Sequence, residues 1–208
     1  MPTDQPGPAE KHILDAAKMI FIKKGFAGAR MQDIANEAGI NKALLHYYFR
    51  SKEKLFDRIF EEALVNFFPQ ILRVIDLEMP LLEKIDHFVE EYMTLLVAHP
   101  HIPLFILHEI SQNPERMIKR ILLLHQGPLP ETFLRQLQQE MNAGRIRKVS
   151  PVQFLINMLA LCVFPFAAKP MIQGLLGLDE FQYRMMLEQR KSELPQLLRA
   201  MLEPEKPD

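Results

Sequence analysis

Residues 31–48, MQDIANEAGINKALLHYY, hold the side chains whose chemistry is easiest to assign. Lys42 carries an ammonium group that donates hydrogen bonds, and His46 carries an imidazole that donates or accepts them. Just before them, Asn41 has the short polar side chain that caps a helix N-terminus. The pattern indicates a helix that begins near Lys42 and carries hydrogen-bonding groups.

A second helix must support this one, and the residues ahead of it have the required sizes. Ala35 is small enough to let two helices cross closely, and Gly39 can adopt the positive φ that a sharp corner needs. Ile34, Ile40 and Leu45 supply apolar surface between the helices. Two short helices joined in this way form a helix-turn-helix, whose second helix is shaped to enter a DNA major groove.

The wider segment resembles the DNA-binding region of TetR-family transcriptional regulators. The resemblance is carried by Gly25-Phe26, Ile34-Ala35, Ala38-Gly39-Ile40 and the run LHYYFRSKEKLF at residues 45–56. It covers about the first quarter of the chain, and no comparable motif follows Phe60. The family implies an all-α fold with an N-terminal three-helix helix-turn-helix DNA-binding domain and a C-terminal helical ligand-binding and dimerisation domain.

The resemblance also implies which residues touch DNA. In the family, helix 3 lies in the major groove, and the matching base-contact positions are Lys42, Ala43, Leu44, His46 and Tyr47. Lysine can donate to guanine O6 or N7, whereas alanine and leucine offer only apolar contacts, for instance to thymine methyl groups. The expected phosphate contacts are Tyr48 and Lys52, by match to the family, with Arg30, Gln32 and Asn41 at the entrances of helices 2 and 3.

Composition agrees with a helical, DNA-binding protein. Of the 208 residues, 48% are hydrophobic, and glycine is scarce. Residues 1–56 contain nine basic and six acidic residues, a net charge of +3, while the remainder contains 16 basic and 20 acidic residues, a net charge of −4. A basic head on an acidic body has the sign expected for DNA binding. The N-terminus has no secretory signal pattern, so a cytoplasmic location is expected.

Helical periodicity and capping residues divide the chain into three parts. We expect a disordered arm at 1–8, the DNA-binding domain at 9–56 and an effector-binding and dimerisation domain at 57–208. Pro69 is expected to kink the fourth helix without ending it. The expected helices with both ends assigned are 9–24, 31–38, 42–49, 80–98, 102–111 and 131–143. Ser51 is expected to cap a further helix, another is expected to begin at 114, and two long segments are expected at the end of the chain. A break is expected at 127–130.

The family resemblance implies partners as well. Dimerisation is expected through the two final segments, about 151–176 and 179–202, although the first can instead be the central helix of the body. A small apolar or amphipathic effector is expected to release a repressor from a palindromic DNA operator. Candidate pocket residues are polar or flexible side chains in apolar surroundings: Tyr92, His108, Met117, Asn157 and Met158. No cofactor is expected.

Other functions have weaker signals. No nucleophile elbow, P-loop, dinucleotide-binding or His-Glu metal motif occurs, so an enzyme is not expected. His99 and His101 with His108 can in principle hold a metal, but surface histidines are the favoured interpretation. Cys162 lies in an apolar run, which favours a buried structural thiol. A helical protein-interaction adaptor that does not bind DNA is the remaining alternative, and salt dependence of DNA binding distinguishes the two.

Overall fold

The computed structural model describes residues 7–125 and 131–204, which form eleven α-helices and no strands. The all-α prediction is confirmed. The helices are α1 (Pro8–Gly28), α2 (Met31–Glu37), α3 (Lys42–Tyr48), α4 (Lys52–Asp76), α5 (Leu81–Ala98), α6 (Ile102–Gln112), α7 (Pro114–His125), α8 (Glu131–Asn142), α9 (Pro151–Ala167), α10 (Lys169–Leu176) and α11 (Glu180–Ala200). The expected break at 127–130 lies outside the described residues.

Local sequence signals decide where these helices begin and end. The hydroxyl of Ser51 accepts from Lys54 N at 3.3 Å and caps the start of α4, as expected, and the carboxylate of Asp179 accepts from Gln182 N at 2.8 Å and caps the start of α11. Gly25 has φ 66° and interrupts α1, after which one further turn follows. Helix α4 continues through Pro69, also as expected.

The head consists of α1, α2, α3 and the first turns of α4, and it has its own hydrophobic core. Ile34, Leu45 and Leu55 in this core are fully buried. Two side chains from the rest of the chain, which we call the body, join the same cluster: Phe105 of α6 and Met117 of α7. The head and the body therefore share buried surface and are not separated by a linker.

The body packs around α5, which contacts α4, α8, α9 and α11. Its buried face includes Phe88, Val89 and Leu96, which pack in one cluster with Phe154 and Cys162 of α9. Burial raises the pKa of the Cys162 thiol to about 12, so the thiol stays protonated at neutral pH. This agrees with the expectation of a buried structural cysteine.

The expected segment 151–176 consists of two helices, α9 and α10, whose axes differ by 67°. Inside α9, Pro165 has no N–H and leaves the carbonyl of Leu161 without its helical donor. Arg190 of α11 takes that carbonyl with Nε at 3.1 Å and Nη2 at 2.8 Å. The hydroxyl of Tyr183, also on α11, donates to the carbonyl of Pro165 at 2.9 Å. Helix α11 thus supplies donors to the carbonyl that the proline leaves unpaired, and a further hydrogen bond to the carbonyl of the proline itself.

No single helix in the described ranges is long and apolar enough to cross a bilayer. The bent pairs α5–α6 and α9–α10 reach the length and apolar composition of a membrane span only when the two helices of each pair are counted together.

The bond between Arg190 and the Leu161 carbonyl predicts a specific coupling with Pro165. Arg190→Met should lower the free energy of unfolding by about 1–3 kcal/mol, because it leaves a partly buried carbonyl unpaired. In a Pro165→Ala background the restored N–H can bond that carbonyl, so the same change should cost less. Urea unfolding of the four proteins measures the coupling.

Arg184→Met is the matched control, because Arg184 lies on the same helix in an exposed ion pair with Glu180. It should change stability by less than about 0.5 kcal/mol in either background. Equal costs of Arg190→Met with and without Pro165 would contradict the role assigned to the arginine.

Candidate nucleic-acid interface

The corner between α2 and α3 is formed by backbone hydrogen bonds around Gly39. Its φ is 61°, its N–H donates to Asn36 O at 3.1 Å, and the next N–H, of Ile40, donates to Ala35 O at 3.0 Å. These two bonds form a Schellman motif, in which the residue at the Gly39 position must adopt a left-handed conformation. Asn41 then caps α3, its side-chain oxygen accepting from Leu44 N at 2.8 Å. Both residues act as the sequence predicts.

Helix α3 has one buried side and one side open to solvent. Leu45 is 0% exposed and Phe49, just after the helix, is also buried, so the inner side joins the core of the head. The expected base-contact residues Lys42, Ala43 and Leu44 are exposed, and Tyr47 is 81% exposed. Nothing in the described body covers this outer side, which can approach a groove without rearrangement of the chain.

His46 is partly buried, and its hydrogen bond decides what its ring offers outward. Its Nδ1 lies 3.3 Å from the carbonyl oxygen of Arg50. Because a carbonyl only accepts, Nδ1 carries the proton, and Nε2 of the neutral ring is an acceptor. A neutral His46 therefore suits the amino group of adenine or cytosine better than guanine O6.

Lys52 has contacts within the head that the sequence analysis did not foresee. Its ammonium donates to Phe26 O at 2.7 Å and Ala29 O at 3.2 Å, and it lies 4.4 Å from the centre of the Phe26 ring. The final carbonyls of a helix lack helical donors, so a lysine here stabilises the end of α1. Two of its three N–H groups are engaged, and a phosphate contact by Lys52 stays a prediction.

The other expected phosphate contacts lie on the surface of the head. Arg30, Gln32, Asn41 and Tyr48 are all exposed. The side-chain amide of Gln32 donates to Asn36 Oδ1 at 2.8 Å, and the backbone N–H of Arg30 donates to Asp33 Oδ2 at 3.3 Å. The helix starts at Arg30 and Asn41 thus have polar side chains and backbone N–H groups near the solvent.

The five expected pocket residues do not lie together. Tyr92 and Met158 are buried in the core of the body, Asn157 is exposed on α9, and His108 and Met117 lie where the body meets the head. The spread follows from helical geometry: residues that look alike in sequence face different neighbours on differently oriented helices. Two cavities lie between head and body, one of about 90 Å³ beside Lys18, Glu62 and His101, and one of about 470 Å³ beside Phe26, Asp57 and His108.

The junction between head and body contains an ion-pair cluster that the sequence analysis missed. Arg116 of α7 reaches Asp57 of α4 at 2.8 Å and also pairs with Glu109 of α6, whose side chain is 2% exposed. Arg120, one turn further along α7, pairs with Glu61 of α4 at 2.8 Å. Glu109 is the only carboxylate in the apolar helix α6, and a buried carboxylate requires a cation partner. That feature could have pointed to the cluster.

The histidines near this junction do not form a metal site. Within the described ranges, no three His, Cys, Asp or Glu side chains are placed to hold a metal ion. His99 is exposed, as a surface histidine should be, whereas His101 packs against Phe105 and His108 against Phe26, and both are only partly exposed. Burial, with smaller contributions from Lys18 and His99, lowers the pKa of His101 to about 4.

A small helical head with an outward recognition helix, joined to a larger helical body, defines a DNA-binding transcriptional regulator. Two family models match the chain: "Bacterial regulatory proteins, tetR family" over residues 13–59 and "Tetracyclin repressor-like, C-terminal domain" over residues 82–194. The second alone spans more than half of the sequence. The chain therefore belongs to the TetR family of transcriptional regulators.

Individual relatives agree with this assignment. The HTH-type transcriptional regulator YfiR of Bacillus subtilis is 29% identical over 160 residues, which cover 72% of this chain and 75% of the relative. The fold is similar to Bacillus subtilis FadR in complex with stearoyl-CoA (TM-score 0.60, 17% identity, covering 92% and 98% of the two chains). It is also similar to AibR in complex with isovaleryl coenzyme A and operator DNA (TM-score 0.61, 21% identity, covering 76% and 86%).

The lowered pKa of His101 predicts how acid affects stability. The folded chain protonates His101 only near pH 4, whereas the unfolded chain does so near its ordinary value of 6.5. Between these pH values the unfolded state binds more protons than the folded state. The contribution of His101 to the free energy of unfolding therefore falls by roughly 2 kcal/mol as the pH falls from 6.5 to 4. Urea unfolding at pH 7 and pH 4.5 measures the loss.

His101→Gln should lose less stability on acidification than the wild type, because it removes the titrating group. His12→Gln changes an exposed histidine of α1 and should behave like the wild type. If His101→Gln loses as much stability as the wild type, the acid sensitivity comes from other groups.

Proposed function

We propose that this regulator is a homodimer that represses transcription by binding a palindromic operator, and that a small amphipathic effector releases it. The observation that carries the DNA-binding part is the outward side of α3, where polar and aromatic residues are exposed while Leu45 is fully buried. A helix that packs only for structural reasons has no need for an 81% exposed tyrosine beside an exposed lysine.

The contacts with DNA follow from position on the head. In the proposal, Lys42, Ala43, Leu44, His46 and Tyr47 face the base edges. Groups around them hold the phosphates: the exposed Arg30, Gln32, Asn41 and Tyr48, and the partly buried Lys52. Phosphate contacts position the head, and base contacts choose the sequence. Two N–H groups of Lys52 donate to carbonyls at the end of α1, so a phosphate would accept from the third.

Dimerisation is proposed through the surface formed by α9, α10 and α11. Exposed apolar side chains are concentrated there: Val152, Ile156, Phe164, Met171, Leu175, Leu176, Phe181, Met185 and Leu197. Apolar surface on this scale is typical of an interface between subunits. Two heads brought together in this way would read half-sites about 34 Å apart, or a multiple of that distance. DNA as a partner also supports a cytoplasmic location.

The effector is proposed to be amphipathic because the core of the body is apolar, while both cavities at the junction carry charged groups. Two proteins of similar fold are bound to stearoyl-CoA and isovaleryl coenzyme A, and these acyl-CoA molecules are suitable probes. An effector shifts the protein off DNA only if it binds the free form more tightly. Titration with stearoyl-CoA or isovaleryl-CoA, with and without operator, tests this, and equal affinities would exclude release by these molecules.

Selection of bound sequences from random duplex DNA is the direct test of the proposed function. The expected product is a palindrome, and its affinity should fall steeply with salt, with a slope of about −0.9 in log K against log salt for each phosphate neutralised. Recovery of no preferred sequence, or binding that salt does not weaken, would instead favour a protein-interaction adaptor.

Lys42 predicts a position-specific effect. Lys42→Ala should weaken binding to the selected operator by about tenfold or more and relax the preference at one base pair in each half-site, since a specific base contact contributes roughly 1–3 kcal/mol. Lys119→Ala removes an equal charge from an exposed site on α7 of the body and should leave both properties unchanged. An equal loss of affinity for all DNA sequences would instead assign Lys42 to the phosphate contacts.

The proposed interface predicts where a charge disrupts the dimer. Ile156→Glu places a carboxylate on the exposed side of α9 and should convert the dimer to monomer at micromolar concentration, because an unpaired charge is costly in an apolar interface. Sedimentation velocity measures the change. Leu123→Glu is the control: Leu123 is 79% exposed but lies on α7, away from this surface. If only the control variant dissociates, the interface lies elsewhere.

A further inference from the structure

The cleft of about 470 Å³ between head and body has features of a ligand site that are independent of the DNA-binding surface. Its volume lies within the range of small-molecule sites, which begins at about 300 Å³. The head supplies one wall and the body supplies the other, so any occupant contacts both. We call it the junction cleft.

Aromatic rings form one side of the junction cleft. The ring of His108 lies 4.6 Å from that of Phe26 and 5.1 Å from that of Phe56, and the two phenylalanine rings are 5.0 Å apart, measured between centroids. These three rings hold one another in place across the boundary between head and body. Phe56 is buried, so the partly exposed rings of Phe26 and His108 are the apolar surface against which a flat ligand can lie.

Carboxylates dominate the charged side. Glu53, Asp57 and Glu109 line the cleft together with one cation, Arg116, and the ammonium of Lys52 lies over the Phe26 ring, so these charged groups sum to −1. The guanidinium of Arg116 is shared between Asp57 and Glu109, and an anionic ligand would have to compete with both. A cationic ligand can instead meet the exposed Glu53 carboxylate, which lies outside this ion-pair cluster.

The geometry of the existing ion pair narrows the class of cation. Asp57 already accepts from a planar guanidinium nitrogen at 2.8 Å, and planar forks match carboxylates in two-point hydrogen bonds better than round ammonium groups do. We propose that the junction cleft binds a flat organic cation, an aromatic amidine or guanidine, with its ring against Phe26 and His108 and its charge towards Glu53 and Asp57.

Such a ligand links the head to the body directly. It bridges Phe26 on α1 and Glu53 on α4 of the head to His108 on α6 of the body, and it competes with Arg116 for Asp57. The occupied cleft therefore favours one spacing of head and body over others. That an occupant alters operator affinity rests on the proposed function, whereas binding to the cleft does not.

Three small molecules of nearly equal shape test the site: benzamidinium, neutral benzamide and anionic benzoate. Titration calorimetry with the full chain, in the absence of DNA, should give benzamidinium a dissociation constant at least tenfold lower than the other two. In the histidine ring NMR spectrum, benzamidinium should shift the signals of His108 and leave those of His12 unchanged. Equal affinities for the three molecules, or no shift at His108, overturn the proposal.

Charge variants provide the second arm. Glu53→Gln should weaken benzamidinium binding about three- to tenfold and leave benzamide binding unchanged, because Glu53 is exposed and the change removes only its charge. Glu115→Gln, an exposed carboxylate of α7 that does not line the cleft, is the matched control and should change nothing. Equal effects of both variants would mean that benzamidinium responds to overall charge, which overturns the site.

A third arm separates this proposal from the proposed function. If the cleft is coupled to DNA binding, benzamidinium changes the dissociation constant for the selected operator by the same factor by which the operator changes that for benzamidinium. Binding of benzamidinium without such a change overturns the coupling and supports the site. Failure to bind any DNA, with benzamidinium still bound in the cleft, overturns the proposed function and supports the site.

Discussion

The ring of Phe105 lies 5.8 Å from that of Phe21 and 4.9 Å from that of Phe56, and through these contacts a body side chain completes the core of the head. A unit of about 50 residues buries too small a fraction of its surface to be more than marginally stable as an isolated domain. The head meets this constraint by sharing its core with α6 and α7. The position of the recognition helix relative to the body is therefore fixed by packing, and it shifts only if these aromatic contacts shift.

Cationic side chains compensate for helix carbonyls that have lost their donors. Lys52 takes carbonyls at the end of α1, and the buried Lys84 donates to the carbonyl of Ile75 near the end of α4 at 3.1 Å. Arg190 does the same inside α9, where Pro165 removes an N–H. Each bond joins two helices, because the donor comes from a different helix from the acceptor. The polar requirements of the backbone thus help to set the arrangement of helices.

Much of the head was predictable because its signals are local. The cap at Asn41 and the positive φ at Gly39 depend on residues within a few positions in the chain. The alternation of buried and exposed positions along α3 also follows from a short repeat. The contacts of Lys52 were not predictable, since they depend on where the end of α1 lies, 26 and 23 residues earlier in the chain. The same reason explains the scattered pocket candidates, which lie on helices whose packing has no short-range signal.

The sequence by itself determined the helical class, the helix-turn-helix and the exposed side of α3, because capping, glycine conformation and periodicity act over one or two turns. Only the tertiary structure decided that Asp57, Glu109 and Arg116 meet at the junction of head and body, and that His108 stacks on Phe26. Asp57 lies 59 residues before Arg116 in the chain, and Phe26 and His108 come from α1 and α6. Their meeting depends on how whole helices pack, and the energy of that packing is spread over many weak contacts that no single motif records.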